Sequence, residues 1–311
     1  MRSCNMHVKI ILAAAALSIV SQAAIAEELT GTLEKIRSTG TITLGHRESS
    51  TPFSYYGDNE KVIGYAMDLC DLAVDAVKAR LGLPKLDVKL VPVTPSGRIQ
   101  SVLSGAIDLE CGTTTNNIER QKVVAFSTTY YVAANRFAAK AAAGLRTLDD
   151  LKGKIAVSTI GSTNIKQLSE LNARRDLNLT ILAAKDNGEA FRMLESDRAD
   201  AFVMDDILLY SRIAESATSG DYTVSEEALS IEPYGIMMRR DDPAFKKVID
   251  DAVATVYRSG EIQKIYAKWF LAPVPPKNVN LNVPMSAPLK HAVEHLIDSG
   301  DPEAYRVGNA R

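Results

Sequence analysis

The 311-residue chain is 46% hydrophobic and 24% charged, with 18 glycines and 12 prolines, proportions that exclude disorder, collagen and coiled coil. Its 36 basic and 38 acidic residues give a net charge of −2 without a long run of either sign, so the basic excess of a nucleic-acid binder is missing. Three cysteines are too few for a disulfide scaffold, and the length fits about two domains.

Residues 1–26 read as an export signal. Arg2 and Lys9 make a basic start, Ile10 to Val20 form an apolar run, and Ala24-Ile25-Ala26 offers a small-x-small cleavage site. The run falls short of the roughly 20 residues of a membrane span, and Cys4 precedes it, which argues against a lipoprotein. Cleavage after Ala26 leaves an exported, periplasmic protein whose net charge is −4, because Arg2 and Lys9 depart. A retained membrane anchor is the alternative.

The remainder alternates strands and helices. Thr41–Leu44 is a short β-branched strand entering the polar loop Gly45–Thr51. Ala66, Cys70, Ala73, Val77 and Leu81 recur at helical spacing until Gly82 and Pro84 stop the helix. Leu86, Val88 and Leu90 alternate with Asp87 and Lys89, which predicts a half-buried strand. A helix near Arg98–Ser104 then leads to a strand at Ala106–Glu110.

From residue 148 the order repeats: a strand at Lys154–Ser158, a helix from about Ile165, a strand at Leu179–Leu182, a helix through Phe191 and Leu194, and a strand at Ala201–Met204. Leu103-Ser104-Gly105-Ala106-Ile107-Asp108 is echoed by Leu194-Glu195-Ser196-Asp197-Arg198-Ala199-Asp200 with one inserted residue. The pattern implies an α/β protein of two similar lobes, each a mostly parallel sheet covered by helices. Cys70 falls on a buried helix stripe and Cys111 ends a strand, so they either bridge or remain two buried thiols.

In open α/β sheets, ligands bind beyond the carboxyl ends of the strands. The loops there hold His46-Arg47, Thr94 to Arg98, Thr113 to Arg120, Gly161-Ser162-Thr163 and Asp205-Asp206. Three arginines, several hydroxyls and an acidic pair facing one another would enclose a small charged molecule. Taken singly, Arg47 and Arg98 also fit surface or helix-end positions, Asp205-Asp206 fits a helix cap, and Arg120 fits a pair with a neighbouring Glu.

Linked segments through most of the chain carry a resemblance. They are Gly45-His46-Arg47-Glu48-Ser49-Ser50, Pro52-Phe53-Ser54-Tyr55-Tyr56, Asp108 to Arg120, Asp149 to Lys154, Gly161-Ser162-Thr163, Met204-Asp205-Asp206, Trp269-Phe270 and Pro275-Pro276-Lys277-Asn278. The chain resembles the periplasmic amino-acid-binding proteins of ABC transporters, and within them the glutamate/aspartate-binding branch. The resemblance implies a periplasmic-binding-protein fold with two hinge strands, near Tyr131–Ala134 and Glu232–Gly235. Lobe 1 would be 27–134 plus 235–311, and lobe 2 would be 135–234. Helices near Pro243–Tyr257 and Ile262–Trp269 would pack on lobe 1, and the tail from Pro273 would end in a helix at 287–298.

The resemblance also implies roles. Arg120 would clamp the ligand α-carboxylate through its guanidinium fork, with donors from Thr115 and Thr163. Asp205 would take the α-ammonium with help from Thr113, and Arg47 and Arg98 would hold a side-chain carboxylate. Ser162 and Asn187 complete the expected contacts. Three arginines and one aspartate oppose the two negative charges and one positive charge of an acidic amino acid. Pro95 and Asn187 depart from the branch, where a Ser and a His often stand, and Thr113 replaces a Ser but keeps its hydroxyl. Glutamine or asparagine is therefore the alternative ligand. The expected partners are the amino acid and the permease subunits of an ABC transporter, with no nucleic acid, no cofactor, no metal and a monomeric state.

Rival readings rest on less. A dehydratase-like enzyme would use Glu48 beside Arg47 as an acid, yet a cationic neighbour lowers a carboxyl pKa. His291-Ala292-Val293-Glu294-His295 spells H-x-x-E-H, a zinc-protease pattern that also fits a solvated helix face. Delivery of the ligand to a chemoreceptor is a third reading. The chain is expected to be a binding protein and not an enzyme.

Overall fold

A computed structural model describes residues 29–307, so the expected signal peptide 1–26, its cleavage site and Cys4 lie outside the described residues. No described helix is long and apolar enough to cross a membrane. The chain begins with α1 (Gly31–Thr39), β1 (Thr41–His46), the small hairpin strands β2 (Ser49–Ser50), β3 (Ser54–Tyr56) and β4 (Val62–Ile63), and α2 (Tyr65–Arg80). It continues through β5 (Asp87–Pro92), α3 (Arg98–Leu103), β6 (Leu109–Cys111), α4 (Ile118–Gln121) and β7 (Val124–Phe126).

The second sheet is then built from β8 (Tyr131–Lys140), β9 (Ile155–Thr159), α5 (Thr163–Arg175), β10 (Thr180–Ala184), α6 (Asn187–Glu195), β11 (Ala201–Asp205), α7 (Asp206–Glu215), β12 (Tyr222–Val224) and β13 (Ser230–Tyr234). The return supplies β14 (Met237–Arg239), α8 (Pro243–Arg258), α9 (Glu261–Tyr266) and α10 (Ala287–His295). Local chemistry sets several helix starts. The side chains of Ser162, Asp186, Asp242 and Ser286 each accept a backbone N–H of the first turn, and Pro243 occupies the opening of α8.

The internal repeat is visible in the topology. The first sheet has the order β5-β1-β6-β14-β7 and the second β10-β9-β11-β8-β12, with β13 also on β8. In each, a central strand takes two parallel neighbours, β5 and β6 around β1, β10 and β11 around β9. The strands that follow, β14 in one sheet and β8 in the other, run antiparallel. This is an α/β protein with two sheet-containing lobes.

Three local expectations need correction. The alternation at 86–90 predicts a half-buried strand, but Val88 and Leu90 are 45% and 43% exposed because β5 is the edge of its sheet, paired on one side only. The strand expected at Ala106–Glu110 starts at Leu109, since the Asp108 carboxylate accepts the Thr43 backbone N–H at 2.9 Å. The helix expected at 287–298 stops at His295, where Leu296 turns to φ 52°.

The lobes meet through paired chain crossings. β8 and β13 run antiparallel from Tyr131 opposite Tyr234 to Asn135 opposite Ser230. Their first-lobe ends are gripped by aromatic rings. Phe53 lies 4.9 Å from Tyr131, 5.4 Å from Tyr234, 5.5 Å from Phe270 and 6.0 Å from Tyr65, all edge-on. Phe53, Tyr65, Tyr234 and Phe270 are fully buried, each ring adding about 1.5–3 kcal/mol from removal of apolar surface. Cys70 of α2 and Cys111 at the end of β6 form a disulfide, with Cα atoms 6.2 Å apart. The bridge fastens a helix to the strand that leads into the loop Gly112 to Asn117.

Candidate functional site

The strand-end loops converge on one pocket between the lobes. Arg47, Arg98, Thr113 and Thr115 line it from the first lobe, and Ser162, Thr163, Asn187 and Asp205 from the second. Eight of the nine expected site residues are thus brought together. Arg120, the ninth, lies at the seam. Its Nη1 donates to Thr115 O at 2.8 Å and its Nη2 to Gly161 O at 3.3 Å, so it spans the lobes.

Arg47 follows β1 and Arg98 opens α3, yet both are only 3% exposed. Among the described residues none of Arg47, Arg98 and Arg120 has a carboxylate within ion-pair distance. The alternative pairing of Arg120 with a neighbouring Glu is not seen, since the adjacent Glu119 pairs with Lys122. Arg98 donates to Thr113 O at 3.3 Å, while its Nε is buried without a partner. Burial, with Arg98 nearby, pulls Arg47 down to about 10 and Arg120 down to about 9, against the pull of Glu110 and Glu232. Arg47 and Arg120 remain cationic at neutral pH. Buried, mutually repelling guanidinium groups are costly unless an anion joins them, so the first-lobe wall is built for negative charge.

The second-lobe wall has the opposite character. Asp205 ends β11; Oδ1 accepts from Asn164 Nδ2 at 2.7 Å and Oδ2 from the Tyr234 hydroxyl. Burial, reinforced by Glu232, raises its pKa to about 7. Asp205 holds the N-cap position of α7 but makes no side-chain cap bond, while the carboxylate of Asp206, the first helical residue, accepts the backbone N–H groups of Ile207 and Ala134. Thr163 donates its hydroxyl proton to Glu232 Oε2 at 2.8 Å, so Thr115 is the donor in the 3.4 Å contact between the two hydroxyls across the cleft. Ser162 is spent on structure, since its hydroxyl accepts Ile165 N–H and donates to Thr159 O. Thr163 and Asn164, the first residues of α5, also line the pocket, so the start of that helix faces it. Asn187 accepts from Thr159 at 2.8 Å.

Sequence reasoning missed the buried carboxylates. Glu110 is fully buried in β6; Oε2 accepts from Thr114 at 2.6 Å and Oε1 has no partner. Both Glu110 Oε1 and the Arg47 stem press on Gly112, where an added Cβ would meet them at 2.3 and 2.8 Å. Glu232 of β13 accepts from Thr163 and Gln167. A charged residue between Leu109 and Cys111 was the available signal for Glu110. Pro95, singled out in the sequence as a departure from the branch, also lines the pocket, and Thr159, Asn164, Met204 and Leu208, which were not foreseen, complete it.

The rival motifs lie elsewhere. Glu48 is exposed and faces a separate cleft with Tyr56 and Arg212, not the arginine pocket. The rings of His291 and His295 lie 4.2 Å apart on α10 with their planes tilted by 45°, and among the described residues no three potential metal ligands of the His, Cys, Asp and Glu types converge.

The sequence pattern of the bacterial extracellular solute-binding proteins, family 3, matches residues 42–272. The chain belongs to this family. A relative from Pseudomonas aeruginosa, an L-glutamate/L-aspartate-binding protein, is 49% identical over 282 residues, covering 90% of this chain and 93% of the relative. The glutamate/aspartate import solute-binding protein of Escherichia coli K12 is 46% identical over 259 residues, 83% of this chain and 86% of its own. Among solved structures, a mutant of ArgBP from T. maritima superposes with a TM-score of 0.68 at 28% identity, covering 77% of this chain and 99% of that one. The family expected from the sequence is therefore the family found.

Proposed function

We propose that this family 3 solute-binding protein captures glutamate or aspartate between its lobes in the periplasm and delivers it to an ABC permease. The observation that carries the reading is the burial of Arg47 and Arg98 on one wall of the pocket, opposite Asp205 on the other. A ligand with two carboxylates and one ammonium neutralises that arrangement. The two relatives named for glutamate and aspartate support the same choice.

In this reading Arg120, Thr115 and the start of α5 at Thr163 hold the α-carboxylate, and Asp205 with Thr113 holds the ammonium. Arg47 and Arg98 hold the distal carboxylate, with Ser162 and Asn187 shaping the wall. The hinge lies near Tyr131–Ala134 and Glu232–Gly235, dividing lobe 1 (27–134 and 235–311) from lobe 2 (135–234). Ligand contacts from both lobes favour the closed form, which is the form a permease would read. Secretion would follow cleavage after Ala26, and the mature protein would act as a monomer.

Calorimetric titration of refolded, ligand-free protein with glutamate, aspartate, glutamine and asparagine tests the reading. Tight binding of the acids with weak binding of the amides is expected. Tight glutamine binding would shift the assignment to the amide, and no binding at all would overturn it.

A further inference from the structure

Outside the pocket, the lobes touch a second time at the far end of α7. Arg212 Nη2 donates to Ser49 O at 3.0 Å and to Thr51 Oγ1 at 3.2 Å, both beyond β1 in the first lobe. An ion pair of 3.1 Å from its Nη1 to Glu215 holds the guanidinium in place. Lys277 Nζ, from the opposite side, donates to the Glu215 carbonyl at 2.8 Å. Glu215 is the last residue of α7, where unpaired carbonyls carry the negative end of the helix dipole and favour a cation.

Lys277 is anchored to the first lobe. Its turn is closed by a bridge between Val274 and Val279, Val274 is buried, and the Tyr55 hydroxyl donates to Pro275 O at 2.7 Å. The family match ends at residue 272, so this arm comes from the segment that follows it. Clefts lie on both sides of the contact, and each is lined by Arg212, Glu215 and Lys277. The bridge is thus a set of discrete polar contacts between lobes, not part of a packed core.

We propose that Arg212 and Lys277 form an interlobe latch that sets how much of the ligand-free protein is closed, and so scales affinity for every ligand by one factor. The inference rests on hinge closure as the binding mechanism. α7 links the two sites mechanically. Asp205 stands at its start in the pocket, and Glu215 closes its ten residues, about 15 Å away, in the latch. A rigid helix held at its far end presents Asp205 to the ligand already in place. A protein that closes more readily binds more tightly, because apparent affinity follows the population of the competent form.

The test compares wild type with Lys277→Ala and Lys277→Arg, whose side chain is exposed at a turn tip and therefore dispensable for folding, and with Arg212→Ala. Small-angle scattering of the ligand-free proteins reads closure, and calorimetry reads affinity. Lys277→Ala and Arg212→Ala are expected to enlarge the ligand-free radius of gyration and to weaken glutamate and aspartate by the same factor, about tenfold, with rescue by Lys277→Arg. An unchanged radius, or losses that differ between the two ligands, would overturn the latch. Should wild type bind neither acid, the functional reading fails while the scattering comparison still decides the latch.

Discussion

Gly161 meets Ser96 across the cleft, backbone to backbone. A Cβ on Gly161 would stand 2.5 Å from Ser96 Cα and 2.7 Å from its nitrogen, while Gly161 O receives the Arg120 guanidinium. Nothing at that point is a flexible side chain that could move aside. Gly161 also adopts φ +78°, which costs an L-residue about 1–2 kcal/mol whether the lobes are open or shut. The clash, by contrast, exists only when they are shut. Gly161→Ala should therefore lower the melting temperature modestly and weaken ligand binding by more than about tenfold, with ligand-free and ligand-loaded scattering curves nearly the same. Wild-type affinity in a folded Gly161→Ala protein would contradict the closed arrangement.

In the proposed assignment, Arg47 is the residue that separates acid from amide. It is buried beside Arg98, with no carboxylate paired to it among the described residues, so a distal ligand carboxylate is its natural counter-ion. Arg47→Ala should weaken glutamate by about 10- to 150-fold, the loss of a hydrogen bond to a charged group worth about 1.5–3 kcal/mol. Glutamine should lose far less, because its amide gains little from a cation. Equal losses measured by titration calorimetry would remove Arg47 from the distal subsite.

Much of this was readable beforehand because each signal was local. Strand, polar loop and helix recur twice in the sequence, and the loops that follow the strands hold Arg47, Arg98, Thr163 and Asp205. What the sequence hid depends on contacts between distant segments. Arg47 and Arg98 are ordinary surface residues by composition, and only folding buries them. Glu110 and Glu232 looked like strand residues, yet each balances cations and hydroxyls supplied from elsewhere in the chain. β5 alternates as a half-buried strand should, and its edge position undid the inference. The Arg212 contact joins residues 161 and 163 positions apart, beyond the reach of any local pattern.

Cys70 and Cys111 join α2 to the end of β6, two residues before Thr113 of the pocket, across 41 residues of sequence. Closing a loop of that length restricts the unfolded chain by about 4 kcal/mol. The double substitution Cys70→Ala with Cys111→Ala should shift the urea midpoint downward by a comparable loss of stability. Wild-type protein treated with reductant should approach the same midpoint. An unchanged midpoint in the double variant would mean that the bridge does not form in the folded protein.

Asp205 sets the expected pH dependence. Burial and then Glu232 raise its pKa to about 7, while hydrogen bonds from Tyr234 and Asn164 work the other way and Asp206 adds a little to the rise. The ordinary value is 3.8, so the ligand-free fold holds a proton through the window between about 4 and 7 that the unfolded chain has released. That group's contribution to stability is therefore present at low pH and lost as pH rises toward 7. Binding has the opposite slope. An ammonium beside Asp205 favours the carboxylate, so below pH 7 the proton must leave before the ligand is held. Affinity for glutamate should fall on acidification from pH 8 to 5, by up to tenfold per pH unit below 7, with proton release detectable as a buffer-dependent binding enthalpy. Asp205→Asn should bind weakly and lose this slope. A flat wild-type profile across that range would take the ammonium away from Asp205.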